Sequence, residues 1–301
     1  MSENNFNIQH SSLGKSSVNP EKYDASLLFR IPRSENRDKY GISNKNLPFF
    51  GVDVWNCYEV SFLLDNGLPV NRMLKLIYSC ESEFLVESKS LKLYLNSFNM
   101  ERLGATMQKA SEKFIDTVRV DLENELQTAV AVQLFTDNSE EIKPFAELQT
   151  KDLVQLISEN KLSEKKFNHF LEAPGLLEGK SAKNQQEIAF RTDVLRSNCR
   201  VTNQPDWGDL FVKMISAYEV DLSSVLAYLI SFRQENHFHE EVVEMIYKRL
   251  WDKFQPQELM VAAMYTRRGG IDINPIRVSE TNLLDEAFIS TTQRLAKTLR
   301  Q

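Results

Sequence analysis

Residues 51–64 are crowded with aromatic and β-branched side chains, and Asp65-Asn66-Gly67 follows as a strong turn signal. That pattern predicts a strand turning back into a partner over 70–79. At 87–98 the period changes. Leu91, Tyr94, Leu95 and Phe98 fall at i, i+3, i+4 and i+7, which is one face of a helix. Phe114, Val118, Leu122 and Leu126 make a similar stripe for a second helix over 111–127. The run Ala-Val-Ala-Val-Gln-Leu-Phe at 129–135 then reads as a strand.

The second half repeats this order. Residues 194–202 and 210–217 are strand-like. Residues 221–232 form a helix with Val225, Tyr228, Leu229 and Phe232 in line, and a helix over 239–254 carries Val242, Ile246 and Leu250. A strand at 259–266 follows, with room for one more. Tyr94-Leu95-Asn96-Ser97-Phe98 recurs as Tyr228-Leu229-Ile230-Ser231-Phe232, 134 positions on. A repeat this long predicts an α+β fold built from a duplicated unit, with antiparallel sheets and helices on one face. The expected segments are an arm at 1–45, a first unit at 46–136, a connection at 137–190 and a second unit at 191–301. Residues 1–22 read as flexible, and 23–37 as an extended segment packed over the core. The connection is charged and weakly patterned, so only short elements are expected there.

Composition narrows the classes. With 42% apolar residues among 301, the chain can bury a substantial core. A net charge of −6 offers no global basic field for a nucleic-acid backbone. The cysteines are Cys57, Cys80 and Cys199, an odd set without a C-x-x-C pair. That argues against a disulfide framework and a structural zinc site, and a reducing cytoplasm fits best. The first residues lack the apolar core of a signal peptide, and no apolar run is long enough to span a bilayer.

Four stretches carry candidate chemistry. Cys199 is followed by Asp206 beyond a Gln204-Pro205 turn. A thiol and an acid brought together suit covalent chemistry on an electrophilic carbon. Taken alone, Cys199 reads better as a small buried side chain, since free cysteine is among the most buried residue types. Glu87-Ser88-Lys89-Ser90 opens a helix, and Lys89 and Lys92 oppose its dipole unless an anionic ligand sits there. A solvated charged turn is the competing reading. His237-Phe238-His239-Glu240-Glu241 opens another helix and suits proton handling better than metal binding, with capping an equal competitor. Arg267-Arg268-Gly269-Gly270 joins positive charge to a backbone that anions approach closely, against a plain basic hairpin turn. Neither a Walker loop nor a Rossmann fingerprint occurs.

Taken together, these stretches closely resemble the NADPH-dependent 7-cyano-7-deazaguanine reductases, the nitrile reductases of queuosine biosynthesis, in their long two-module form. The matching runs are E-S-K-S-L-K-L-Y-L-N-S-F-N at 87–99, S-N-C-R-V-T-N-Q-P-D-W-G at 197–208, S-F-R-Q-E-N-H-F-H-E at 231–240 and Y-T-R-R-G-G-I-D-I-N-P at 265–275. The arm matches at L-G-K (13–15), Y-D-A-S-L-L (23–28) and P-R-S-E-N-R (32–37). The resemblance implies tandem tunnelling-fold (T-fold) modules, a cytoplasmic homodimer and no direct contact with nucleic acid or membrane. It implies a nitrile reduced to the primary amine by two NADPH, with no metal. It assigns Cys199 as nucleophile, Asp206 as proton donor and His239 as its helper. Val86, Glu87, Ser88, His239 and Glu240 would contact the substrate, and Ser88, Lys89, Arg268 and Gly269 the NADPH. The rival readings are a zinc-dependent relative of the same fold, or a non-catalytic module binding a purine- or pterin-like ligand.

Overall fold

Two β-β-α-α-β units share one sheet. The structure is a computed structural model that describes residue 20 and residues 22–301. The L-G-K run and nearly all of the stretch read as flexible lie outside the described residues. The remainder of the arm has more structure than an extended strap. It holds a 3-10 turn (Ala25–Leu27), strand β1 (Arg30–Pro32), a helical turn α1 (Ser34–Arg37) and a second 3-10 turn (Asp38–Tyr40).

The first unit runs β2 (Phe50–Leu64), β3 (Pro69–Ser79), β4 (Phe84–Val86), α2 (Ser88–Asn96), β5 (Arg102–Gly104), α3 (Met107–Leu126) and β6 (Val130–Phe135). The connection holds β7 (Glu141–Ile142) and α4 (Glu159–Glu164). The second unit runs β8 (Gly179–Cys199), β9 (Pro205–Val220), α5 (Leu222–Ile230), β10 (Asn236–His237), α6 (His239–Phe254), β11 (Glu258–Tyr265) and β12 (Ile271–Val278). A tail follows with α7 (Glu286–Ile289) and β13 (Arg294–Leu295).

The repeat holds at the level of single hydrogen bonds. Glu87 caps α2 by accepting from the Lys89 and Ser90 N–H groups, and Asp221 caps α5 by accepting from Ser223 N–H. Ser90 Oγ donates to Glu87 O at 2.7 Å, and Ser224 Oγ to Asp221 O at 2.6 Å. Tyr94 meets Phe98 edge-on at 5.4 Å, as Tyr228 meets Phe232 at 5.4 Å. The repeated Tyr-x-x-Ser-Phe therefore marks the same packed turn twice.

How the two units join was not legible in the sequence. The sheet order is β10-β8-β9-β11-β12-β2-β3-β6, with β5 beside β2. The seam is the antiparallel pair β12–β2, in which Ile273 faces Trp55 and Arg277 faces Gly51. On one face α2 and α3 bury Leu91, Tyr94, Phe114 and Val118 against Phe62 and Leu74. There α5 and α6 bury Tyr228, Leu229, Val242 and Ile246 against Leu210 and Val261. The opposite face is covered without long helices. Phe145 and Leu148 of the connection, with Phe288 and Leu295 of the tail, pack on Val54, Phe211, Met260 and Ile276.

Two sequence expectations shift. Residues 179–190, read as part of the connection, are the first part of β8. Their polar side chains are mostly exposed, so no alternation shows, and the ladder to β9 holds them extended. The connection is also a lid on the second sheet face, because isolated apolar residues such as Phe145 pack there without any period.

Gly51 sits where the seam is tightest. A Cβ there would lie 2.0 Å from Ile276 O. Gly51→Ala is expected to force β2 and β12 apart, lowering stability by about 3 kcal/mol. A thermal unfolding midpoint equal to wild type would refute that.

Candidate active site

Beside the seam, on the helix face, lies a cavity of about 340 Å³. Trp55 of β2 and Ile273 of β12 line it, and the arm contributes Ile31. Its rim holds Val86, Ser88 and Lys89 from the first unit and Cys199, Asp206, His239, Glu240, Arg268 and Gly269 from the second.

Strand pairing explains why the thiol and the acid share a wall. Ser197 of β8 pairs with Asp206 of β9. Cys199 is two residues beyond Ser197, so its side chain leaves the same face as Asp206. Residues 200–204 close the hairpin, with Asn203 in the left-handed region (φ 55°) and Cys199 N–H donating to Gln204 O at 2.8 Å. Cys199 is part-exposed, whereas Cys57 and Cys80 are buried. Burial pushes the Cys80 thiol up to about 11 and the Cys57 thiol higher still.

Asp206 is 2% exposed and heavily engaged. Arg268 Nη1 donates to its Oδ1 at 2.5 Å, and His239 Nε2 stands 3.5 Å from its Oδ2. Burial pushes its carboxyl up, but His239 and Arg268 outweigh that and hold it below the usual range. Arg268 also donates to Thr202 Oγ1 and Gln204 Oε1 in the hairpin that follows Cys199. One guanidinium therefore ties the acid to the hairpin that carries Cys199.

His239 and Glu240 begin α6. The His239 ring stacks on Tyr265 at 3.8 Å with an interplanar angle of 7°, which fixes its plane, and its Nδ1 is buried without a hydrogen-bond partner. Glu240 is 2% exposed, and its Oε1 is likewise unpartnered. Burial raises its carboxyl to about 8, with the charge of Asp53 adding to the effect. His237 has a different setting. Its ring nitrogens lie 3.0 Å from Glu235 and 3.3 Å from Glu241, and its backbone pairs with Cys199.

Not every expected residue reaches the cavity. Val86, Ser88, Lys89, Arg268 and Gly269 do, but Glu87 is not on its wall. Both Glu87 oxygens accept from backbone, at 2.9 Å from Lys89 N and 2.7 Å from Ser90 N. The Arg267 guanidinium lies 3.4 Å over the Tyr58 ring, so of the two adjacent arginines only Arg268 lines the cavity. Lys92 lines it too, and it donates to Gly269 O at 2.9 Å. Trp55 and Ile31 were not singled out beforehand. Trp55 sits in an apolar-rich strand, and only the seam turns that strand into a cavity wall. Among the described residues no group of three or more His, Cys, Asp or Glu side chains is placed to hold a metal ion. No helix there is long and apolar enough to cross a membrane.

Fold and cavity define a protein in which two repeated α+β units and an arm enclose a thiol, a carboxylate and a histidine. The family model described as "Nitrile reductase, 7-cyano-7-deazaguanine-reductase N-term" matches residues 19–134, and that of "QueF-like protein" matches 205–283. The NADPH-dependent 7-cyano-7-deazaguanine reductase of Polaromonas sp. is 39% identical over 276 residues, 92% of this chain and 95% of that protein. The protein of that name from Chromohalobacter salexigens is 38% identical over 277 residues, 92% of this chain and 94% of its own. The apo crystal structure of the archaeosine synthase QueF-Like pairs with 32% of this chain and 94% of its own, at 14% identity and a TM-score of 0.28, too low to bear on the fold. The chain belongs to the family of NADPH-dependent 7-cyano-7-deazaguanine reductases.

Proposed function

We propose that this chain reduces the nitrile of 7-cyano-7-deazaguanine to the primary amine of 7-aminomethyl-7-deazaguanine, consuming two NADPH, in queuosine biosynthesis for tRNA. The observation that carries the reading is the convergence of Cys199, Asp206, His239 and Glu240 on one cavity wall beside the basic group Lys89, Lys92 and Arg268.

A nitrile carbon is a weak electrophile, and a thiol adds to it only with help. Asp206, held ionised by His239 and Arg268, takes the Cys199 proton. The sulfur then bonds to the nitrile carbon, one C≡N π bond breaks, and Asp206 passes the proton to the nitrogen. The product is a thioimide on Cys199. Bound NADPH supplies a hydride for each of the two reductions. After the first, the C–S bond breaks and Cys199 leaves as thiolate. The resulting imine stays in the cavity, where exclusion of water prevents its hydrolysis. His239, next to Asp206, delivers protons to the nitrogen as it becomes an amine. Two hydrides and two protons convert the nitrile to the amine.

Glu240 accepts hydrogen bonds from the N–H groups of the base, and Val86 and Ser88 line its other side. Glu87 joins in only if its carboxylate accepts a further donor beyond the two it already has. Ser88, Lys89, Arg268 and Gly269 would hold the NADPH, with the two cations suited to its anionic groups. The two units act as tandem T-fold modules, over about 46–136 and 179–301, and the protein works as a cytoplasmic homodimer without binding nucleic acid.

The test is loss of reduced-nicotinamide absorbance on adding the nitrile base. Two NADPH consumed per amine formed supports the reading, and no consumption refutes it. Arg268→Met removes the guanidinium that holds Asp206 and that would meet the cofactor. It is expected to raise the KM for NADPH at least ~10-fold, the loss of one charged hydrogen bond. An unchanged KM would remove Arg268 from the cofactor site.

A further inference from the structure

The P-R-S-E-N-R run of the arm has so far no part in the chemistry, yet its two arginines are among the most buried side chains of the molecule. Arg33 is 3% and Arg37 1% exposed. They enter a cluster that joins the arm to β2, α6 and β12. Arg33 Nη2 meets Asp53 of β2 at 2.5 Å, and its Nη1 lies 3.6 Å from Glu244 of α6. Arg37 holds Glu244 at 2.6 Å, and Arg277 of β12 holds Asp53 and Glu244, each at 2.8 Å. Burial would raise Glu244, but Arg277 and Arg37 outweigh it and hold its carboxyl down at about 2.

Three guanidiniums thus face two carboxylates. An unbalanced buried charge is expensive, so the cluster favours a carboxylate beside it ionising when a ligand pairs with that carboxylate. Glu240 stands one helical turn before Glu244 on α6, the carboxylate that Arg33 Nη1 approaches at 3.6 Å, so the two share the helix face turned to the cluster. Burial pushes its carboxyl up most and Asp53 adds to that, while Arg33 and Arg277 pull it down. The other titratable groups that act on it are Tyr78 of β3 and Tyr265 of β11.

The three arginines differ in spare capacity. Arg277 is engaged with both carboxylates and with backbone carbonyls. Arg37 is shared among Glu244, Asn44 and Cys80 O. Arg33 alone keeps two donor nitrogens, Nε and Nη1, buried without a hydrogen-bond partner, and Glu240 keeps Oε1 in the same state.

We propose that Arg33 is a positioning residue of the site: its guanidinium supplies the positive charge against which the Glu240 carboxylate accepts the N–H donors of the bound base. This rests on the substrate reading above, in which Glu240 holds the heterocycle. The arm is then part of the binding machinery, and the order of events follows from charge. In the free protein burial favours the protonated form of Glu240. The base binds to the ionised form, so binding releases that proton, and Arg33 keeps the release within reach at pH 7.

The deciding experiment is a carboxyl carbon-13 titration of the free protein by NMR, with the Glu240 resonance identified by its loss in Glu240→Gln. Arg33→Met is expected to raise the Glu240 midpoint by about one pH unit, equivalent to ~10-fold weaker binding of the base at pH 7. That loss should recover at pH 9 and vanish in the Glu240→Gln background. Arg33→Lys, which keeps the charge, should leave the midpoint near wild type, whereas a merely structural role would not distinguish lysine from methionine. Where methionine is not tolerated, Arg33→Gln gives the same comparison with a donor to Asp53 retained. An unmoved midpoint, or equal binding losses with and without Glu240, overturns the proposal. A wild-type protein that fails to bind the base refutes the substrate assignment, while the titration still decides the role of Arg33.

Discussion

Cys199→Ala is expected to lower nitrile reduction at least ~1,000-fold, because Cys199 is the one thiol among the described residues that line the cavity. Asp206, His239 and Glu240 remain in place in this variant, so the base should still bind, within a few-fold of wild type. Mixing the wild type with the nitrile base should produce a new absorbance from the thioimide and a mass gain on the peptide carrying Cys199. The alanine variant should show neither. The fold is expected to tolerate the change, since Cys199 is part-exposed at the end of a strand. If NADPH oxidation persists in Cys199→Ala at a rate near wild type, the covalent route is wrong.

Glu240→Gln is expected to lose function and gain stability, and the direction depends on pH. An unfolded glutamate titrates near ~4.3. In the folded protein burial, reinforced by Asp53, raises the Glu240 carboxyl to about 8. Between those values the folded state holds a proton that the unfolded state has lost, so stability falls as pH rises through the window. Glutamine removes this slope. The variant should match wild type near pH 4 and exceed it at pH 8 and above, by on the order of 3 kcal/mol. Binding of the base should fall by roughly 10- to 100-fold, the loss of a charged hydrogen bond. Denaturant unfolding at the two pH values, beside a binding titration, reads both effects. A variant less stable than wild type at pH 8 would mean that the arginines, not burial, dominate the Glu240 environment.

The two effects in one residue describe a stability–function conflict. On the proposed reading, the unpartnered oxygen of this buried carboxylate is completed by the bound base. His239 Nδ1 and the spare nitrogens of Arg33 are in the same condition. Of these, His239 and Glu240 line the cavity, where a bound heterocycle would satisfy them.

Much of this was legible in advance for identifiable reasons. The helix stripes at 91–98 and 114–126, and the second pair in the other half, follow a period that only one packing face can satisfy. Cys199 and Asp206 were linked by a short hairpin, so their proximity is local. His239 and Glu240 are adjacent in sequence at a helix start. Glu87 shows the limit of such reading. Its place before a helix suits ligand binding and capping equally, and the coordinates show the capping bonds, at the position that Asp221 occupies in the other half. Arg267 and Arg268 show another limit: they lie in the loop between β11 and β12, where no period says which side chain turns to the cavity, and one lines it while the other lies on Tyr58.

By itself the sequence determined the two repeated units, their helices and strands, and the hairpin that pairs thiol with acid, because each depends on residues a few positions apart. Only the tertiary structure decided that one continuous sheet joins the units through β12 and β2. The same holds for the role of the connection and tail as cover for the second sheet face. It also brought Arg33, Asp53, Glu244 and Arg277 from four separate segments into one buried cluster behind Glu240. Such contacts carry no period and no fixed spacing. They arise from the burial of charges that must find partners wherever the chain brings them, and that requirement appears only once the chain is folded.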